Sequence, residues 1–251
     1  MNGSPIMKRK IIDCDVIAGF WPKGRLPIAP DEVSAALLSH GIREACVVSA
    51  RGIFFDHAAG NREALSWAEK SRTSSVKFHP TATIDLRRFL GYKEEIREMS
   101  RSGIRIFRLF PEYQGWDFDH PGFRRVAAVV AEENGTLFVK GKPGKILAAL
   151  GSCDVSLLIG THFYDLAEAL ALWEEGRKFR LSTTLLHGPG SIDIAREHGG
   201  EDSLVFGSGT PISAPGASVA VLEAASLSED AKEKVLSRTM SALLQGGYHG
   251  R

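Results

Sequence analysis

The sequence predicts an α/β protein of the (β/α)8 TIM-barrel class. Short β-rich runs alternate with helical patterns from end to end, and eight such pairs fit within 251 residues. Charged or imidazole groups also recur where the strands stop, which is where this fold keeps its chemistry. A doubly wound open sheet is the alternative, but no GxGxxG turn follows the first strand.

The first run, "KIIDCDVI" (10–17), reads as a buried strand that carries two carboxylates, Asp13 and Asp15. Unpaired charges are expensive to desolvate, so both need partners. A helical pattern over 30–40 leads to "EACVVSA" (44–50), and one over 60–71 leads to "SVKFHPTA" (75–82). The pattern over 86–101 precedes "GIRIFRLF" (103–110), and that over 121–134 precedes "TLFVK" (136–140). Helical stretches at 143–150, 165–176 and 190–198 then separate "DVSLLIG" (154–160), "KFRLSTT" (178–184) and "SLVFG" (203–207). After a pattern at 216–225, "SEDAKEKVLSRTMSALL" (228–244) opens with Ser and nearby acids, the signature of a helix start. No linker, repeat or low-complexity segment interrupts the series, so one domain over 1–251 is expected.

Composition narrows the class. The chain is 43% hydrophobic and 24% charged, with a formal net charge of +1, which argues against nucleic acid or an anionic membrane as partner. "KRK" at 8–10 reads as a solvated lead-in to the first strand. Cys14, Cys46 and Cys153 are widely spaced and fit reduced thiols, so a cytoplasmic protein is expected. Neither a signal peptide nor a membrane span is readable.

In a barrel, the strand ends shorten the search for a site. They offer Asp15, Phe20, Trp21 and Pro22 after the first strand, and Asp56, His57 and Asn61 after the second. His79 ends the third strand, Arg108 and Glu112 the fourth, Lys140 the fifth, and His162 the sixth. Thr184 and His187 follow the seventh, and "FGSGTP" the eighth. Arg108 suits a carboxylate through two parallel hydrogen bonds, or pairs with Asp13, Asp15 or Glu112, and the two readings are compatible. Trp21, Tyr113 and Trp116 either line a pocket for a flat substrate or plug the mouth. His40, His198 and His249 read as surface residues. No nucleophile elbow or Ser/His/Asp spacing is present.

Three segments carry a resemblance. "IIDCDVIAG", "GIRIFRLFP" and "LVFGSGTP" followed by "LSEDAKEKVLSRTMSALL" resemble the amidohydrolase-related superfamily, the branch that includes aromatic-acid decarboxylases and dicarboxylate lactonases. The resemblance implies a first strand of Asp-x-His-x-His and an eighth-strand Asp, which with a middle-strand histidine hold a divalent metal such as Zn²⁺. Here Asp15 takes the first histidine position, Ile17 the second, Lys140 the fifth-strand position and Gly209 that of the Asp. One carboxylate remains of four ligands, so no metal site and no cofactor are expected. Relatives that hydrolyse lactones without a metal make this compatible with activity.

The resulting expectation is an amidohydrolase-like hydrolase, or a lyase, acting on a small carboxylate-bearing substrate, cyclic or aromatic. Hydrolysis of a C–O or C–N bond is favoured over decarboxylation. Arg108 and Lys140, with Trp21 and His79, would bind the substrate, while Asp15 and His162 or His187 would handle protons. The alternative is a non-catalytic relative that keeps the pocket for ligand binding or regulation, which Gly209 favours because the missing Asp also serves as base. The resemblance also admits a homodimer.

Overall fold

A computed structural model describes residues 9–22, 26 and 28–246. His249 and part of the "KRK" run lie outside the described residues. Eight strands follow one another in order: β1 Ile12–Ala18, β2 Glu44–Ser49, β3 Lys77–Pro80, β4 Ile106–Leu109, β5 Thr136–Lys140, β6 Ser156–Gly160, β7 Arg180–Ser182 and β8 Leu204–Val205. β1–β3 form one parallel sheet and β4–β8 another. Two bridges join them into a ring, Ala82 with Phe107 and Val16 with Thr210. The chain is therefore a (β/α)8 barrel, as its alternating pattern requires.

The helices form the outer layer: α1 Pro30–Leu38, α2 Ala50–Phe54, α3 His57–Lys70, α4 Tyr92–Arg101, α5 Pro111–Gln114, α6 Pro121–Glu132, α7 Pro143–Leu150, α8 Leu166–Glu174, α9 Ser191–Gly199 and α10 Pro215–Ala224. Proline occupies the first turn of α1, α6, α7 and α10, where its missing N–H costs nothing. α4 starts six residues later than its pattern suggests, because Gly91 turns the chain through φ +82° just before it. Leu86–Arg88 ahead of that turn is a single 3₁₀ turn capped by Asp85.

Strand alternation sends one set of side chains outward against the helices and another into the barrel. The outward set builds the main core, including Val47, Phe107, Val139 and Ile159. The inward set, Ile12, Cys14, Cys46, Ile106, Phe138, Leu158 and Val205, forms a second cluster completed by Met240 and Leu243. These two come from the last helix, so the chain's end covers the amino-terminal end of the barrel. The expected single helix over 228–244 is α11 Glu229–Glu233, a π turn Lys234–Arg238 and α12 Thr239–Leu244. The widened turn presents the Val235 carbonyl to the Phe206 N–H at 2.9 Å, tying the segment to the end of β8. Among the described residues, no helix is long and apolar enough to cross a membrane.

Candidate active site

Three charged side chains meet at the carboxyl-terminal ends of β1, β4 and β5. Asp15 lies on β1, Arg108 on β4 and Lys140 at the end of β5. The pattern places them together: Ile106 and Arg108 share one face of β4, and Phe138 and Lys140 one face of β5. Arg108 Nη2 pairs with Asp15 Oδ1, and Lys140 Nζ stands 2.8 Å from Asp15 Oδ2. Both are ion pairs without good hydrogen-bond alignment, so neither carboxylate oxygen has a well-directed donor. The Asp15 and Arg108 side chains are 1% and 3% exposed, and Lys140 is 16% exposed.

Burial pushes the Asp15 carboxyl upward, but the charges of Arg108 and Lys140, helped by the nearby polar groups of Lys140 and Thr184, hold it down at about 2. A carboxylate ionised to so low a pH is a weak base. Its clearest work is to hold the two cations side by side. One carboxylate against two cations leaves the cluster with one surplus positive charge, and Arg108 Nη1 is buried without a hydrogen-bond partner. The guanidinium is gripped between the rings of Phe110 and Phe138, at 4.6 and 4.8 Å from their centroids. Positive charge in a low-dielectric place with a donor to spare is chemistry that suits an anion.

Rings close over Arg108. Phe110, which covers the guanidinium, lies 6.1 Å from Tyr113, and Tyr113 lies 5.5 Å from Trp21 and 5.4 Å from Phe54. Trp21 and Phe54 meet edge-to-face at 5.0 Å. Gln114, the last residue of α5, anchors that helix beneath them, donating to the Ile53 carbonyl and accepting from Trp116 Nε1. Trp21 is thus a wall residue packed among rings. Burial raises the Tyr113 phenol, with the Glu112 charge acting in the same direction.

The histidines scatter. His79 points away from the mouth: its Nε2 is 2.7 Å from Glu44, which also pairs with Lys10 at 2.9 Å. Glu44 begins β2, so His79 serves the amino-terminal side of the barrel, and burial lowers its pKa despite that carboxylate. His162 is exposed at the rim, where it caps the 3₁₀ turn Phe163–Asp165 and stacks 4.8 Å from Tyr164. His187 lies on the loop after β7, 3.4 Å from Ser218 Oγ, with its pKa lowered by partial burial and by His162. The structure brings Asp15, Arg108 and Lys140 together, sets His162 and His187 near one another at the rim, and leaves His79 elsewhere.

Two features escape a reading of residue types. Thr184 reaches Asp15 from the end of β7 and is 2.9 Å from Ser182 Oγ. Asp13 is fully buried at the seam of β1 and β8, held by Ser208. Ser208, 195 residues away in the chain, carried a signal only as part of a Gly-Ser-Gly. Separately, a groove of about 440 Å³ opens at the opposite end of the barrel, walled by Trp173 and Phe179 and by charges of both signs. It stands apart from the convergent cluster, and the fold keeps its chemistry at the other end.

No family model matches the chain, and no curated protein matches it. Solved structures do. A 5-carboxyvanillate decarboxylase from Novosphingobium aromaticivorans with bound manganese superposes with a TM-score of 0.72 at 12% identity, covering 95% of this chain and 98% of that one. A putative amidohydrolase from Staphylococcus aureus gives 0.72 at 11%, covering 94% and 99%. A probable 2-pyrone-4,6-dicarboxylic acid hydrolase from Acinetobacter baumannii gives 0.68 at 14%, again covering 94% and 99%.

The manganese of the first neighbour corrects the expectation that no cofactor belongs here, since structures that share this fold at a TM-score of 0.72 hold that metal. The residues of this chain nonetheless do not fit that ion. Asp15 is committed to two cations, Ile17 is an apolar core residue, and Lys140 brings a positive charge. Gly209 sits at φ +74°, and a Cβ there would lie 2.8 Å from Thr184 Cγ2, so the backbone itself disfavours an Asp. Among the described residues, no three His, Cys, Asp or Glu side chains converge as a metal site. At these identities the likeness speaks for architecture: the chain is a (β/α)8 barrel with the fold of these amidohydrolase and decarboxylase structures.

Proposed function

We propose that this chain is an amidohydrolase-like enzyme that binds a small organic carboxylate at Arg108 and Lys140 and hydrolyses an ester or amide bond beside it. The surplus positive charge of the Asp15–Arg108–Lys140 cluster, with a buried and unpartnered Arg108 Nη1, carries this reading. Arg108 grips the substrate carboxylate, and Lys140, the more accessible cation, donates to the carbonyl oxygen on which charge develops. Asp15 holds both cations in place. His187, kept neutral near pH 7 by its lowered pKa, takes a proton from water as that water adds to the carbonyl, then returns it to the leaving group. The ring wall of Trp21, Phe54, Phe110 and Tyr113 favours a flat, cyclic or aromatic body. The neighbours named for a pyrone dicarboxylic acid and for carboxyvanillate support a carboxylate of that size.

A screen of cyclic lactones, aryl amides and aromatic acids, each bearing a carboxylate, tests the reaction. Turnover of a lactone or amide that is lost in His187→Ala, with its substrate affinity kept, is the expected outcome. Release of CO₂ from an aromatic acid would replace hydrolysis with decarboxylation.

One observation favours a second reading. Asp15 and Arg108 are nearly sealed beneath the rings, leaving only Lys140 with appreciable solvent access. A barrel that binds a carboxylate ligand as a regulatory module needs no exchange of water. Tight carboxylate binding with no turnover across the whole screen would support it.

A further inference from the structure

Asp13 is a buried carboxylate that the proposed reaction does not use. It is fully buried, and the ion pairs of this region go to Asp15. Hydrogen bonds hold it instead. The register of β1 against β2 slips between Asp13 and Val16, and such a bulge takes a residue out of the ladder. Asp13 Oδ1 accepts the N–H of Asp15 at 3.0 Å and the N–H of Ser208 at 2.9 Å. Ser208 Oγ donates to Asp13 Oδ2, and the same hydroxyl accepts the Thr210 N–H at 3.1 Å. On either side the backbones of β1 and the segment after β8 are bonded directly, Cys14 N–H to Phe206 and Ile17 N–H to Thr210, each at 2.9 Å. Asp13 therefore fills the seam where the barrel closes, at the irregularity that turns Asp15 toward Arg108 and Lys140.

We propose that Asp13 is a positioning residue: through the Asp15 N–H and the two donors of Ser208, it sets the bulge that aims Asp15 between Arg108 and Lys140. The role deepens the anion site described above, and rests on it only where affinity is measured. Two alternative explanations of the burial are weaker. A core filler would need no carboxylate, since burying one without a cation is costly. A counter-ion for Arg108 or Lys140 would pair with them, and Asp15 does that.

The test uses the full chain with Asp13→Ala, Asp13→Asn and Ser208→Ala, benzoate as the probe, and two readouts. One is benzoate affinity by calorimetry. The other needs no ligand: the exchange rate of the Lys140 ammonium protons, followed by NMR in protein labelled with ¹⁵N-lysine. Once Asp15 is misaimed, Lys140 loses its partner. Asp13→Ala is expected to weaken benzoate at least about tenfold and to speed that exchange at least about tenfold, as for loss of a buried charged hydrogen-bond acceptor. Asp13→Asn keeps an oxygen for both N–H groups but gives up the bond from Ser208 Oγ, so it is expected to recover most of the loss and stay within about threefold of wild type in both readouts, as Ser208→Ala does. A folded Asp13→Ala protein with wild-type exchange and affinity, however reduced its stability, would overturn the role. Should Asp13→Ala fail to fold, Ser208→Ala removes one donor and is expected to shift both readouts the same way by about threefold; no shift would overturn it equally. If benzoate binds no variant, including wild type, while Lys140 exchange still responds, the anion site is refuted and the positioning role stands.

Discussion

Asp13 and Asp15, two residues apart and both buried, are driven in opposite directions by their surroundings. Burial, only partly offset by the Ser208 and Asp15 donors, raises Asp13 from 3.8 to about 7, while Arg108 and Lys140 outweigh burial and take Asp15 down to about 2. The folded state thus holds the Asp13 proton more tightly than the unfolded chain does. Its contribution to stability is complete below about pH 4, falls as pH rises, and is gone above about 7, on the order of 4 kcal/mol in all. Asp15 contributes in the other sense: its share is present above about pH 4 and lost as pH falls through about 2, roughly 2 kcal/mol. Asp13→Asn removes the first dependence. Its melting temperature relative to wild type is expected to climb between pH 4 and pH 7.5. A difference that stays constant across that range would show that Asp13 does not titrate there.

Gly207 makes a second demand at this scale. A Cβ there would lie 2.4 Å from both Ser182 Oγ and Thr184 Oγ1 and 3.0 Å from Cys14 Sγ. Gly207→Ala is expected to cost about 2 kcal/mol in urea unfolding by overpacking, and to displace Thr184 from Asp15. A cost near zero would mean that the strand ends shift freely. Of this neighbourhood, Asp15 with Arg108 and Lys140 was legible, because each is a charged residue at a strand end in an apolar run. The Asp13–Ser208 contact was not, since local pattern carries no trace of a bond across 195 residues. His79 misled for a related reason. Its position near a strand end suggested the mouth, whereas Glu44 and Lys10 draw its ring to the other side.

Elements tell a parallel story. Alternation and period marked all eight strands and their following helices, since burial dictates the pattern in each. What periodicity could not mark was the interruption of the last helix: Lys234–Arg238 has helical composition, and its π turn arises from a carbonyl that Phe206 N–H requires. The same segment delivers Met240 and Leu243 to the barrel interior. Met240→Ala is expected to destabilise by about 3 kcal/mol through the cavity it leaves. Benzoate affinity should be unchanged, because this plug covers the end of the barrel opposite Arg108. A loss of affinity as large as the loss of stability would mean that the two ends are coupled through the inner layer.

At the scale of the whole molecule, a near-neutral chain gathers two cations around one carboxylate in a nearly dry place, and the proposed function rests on that local surplus. Solved structures named as a carboxyvanillate decarboxylase, a putative amidohydrolase and a probable pyrone dicarboxylic acid hydrolase share the architecture at 11–14% identity, and at its strand ends this chain holds an ion cluster. At positions where the resemblance implies metal ligands, this chain holds Ile17, Lys140 and a left-handed Gly209. The alternation of eight strand and eight helix patterns made the fold legible; the departures at Ile17, Lys140 and Gly209 gave the expectation of no cofactor, which the manganese of a neighbour corrects. The measurement that bears most directly on the account is calorimetric titration of wild type and Arg108→Ala with benzoate at two salt concentrations, alongside a melting curve for each. Wild type should bind one equivalent. Arg108→Ala should lose at least about tenfold in affinity while still melting cooperatively, as expected for removal of a charge-assisted contact. Equal affinity in the two folded proteins, or no binding by wild type, would contradict an anion site at Arg108.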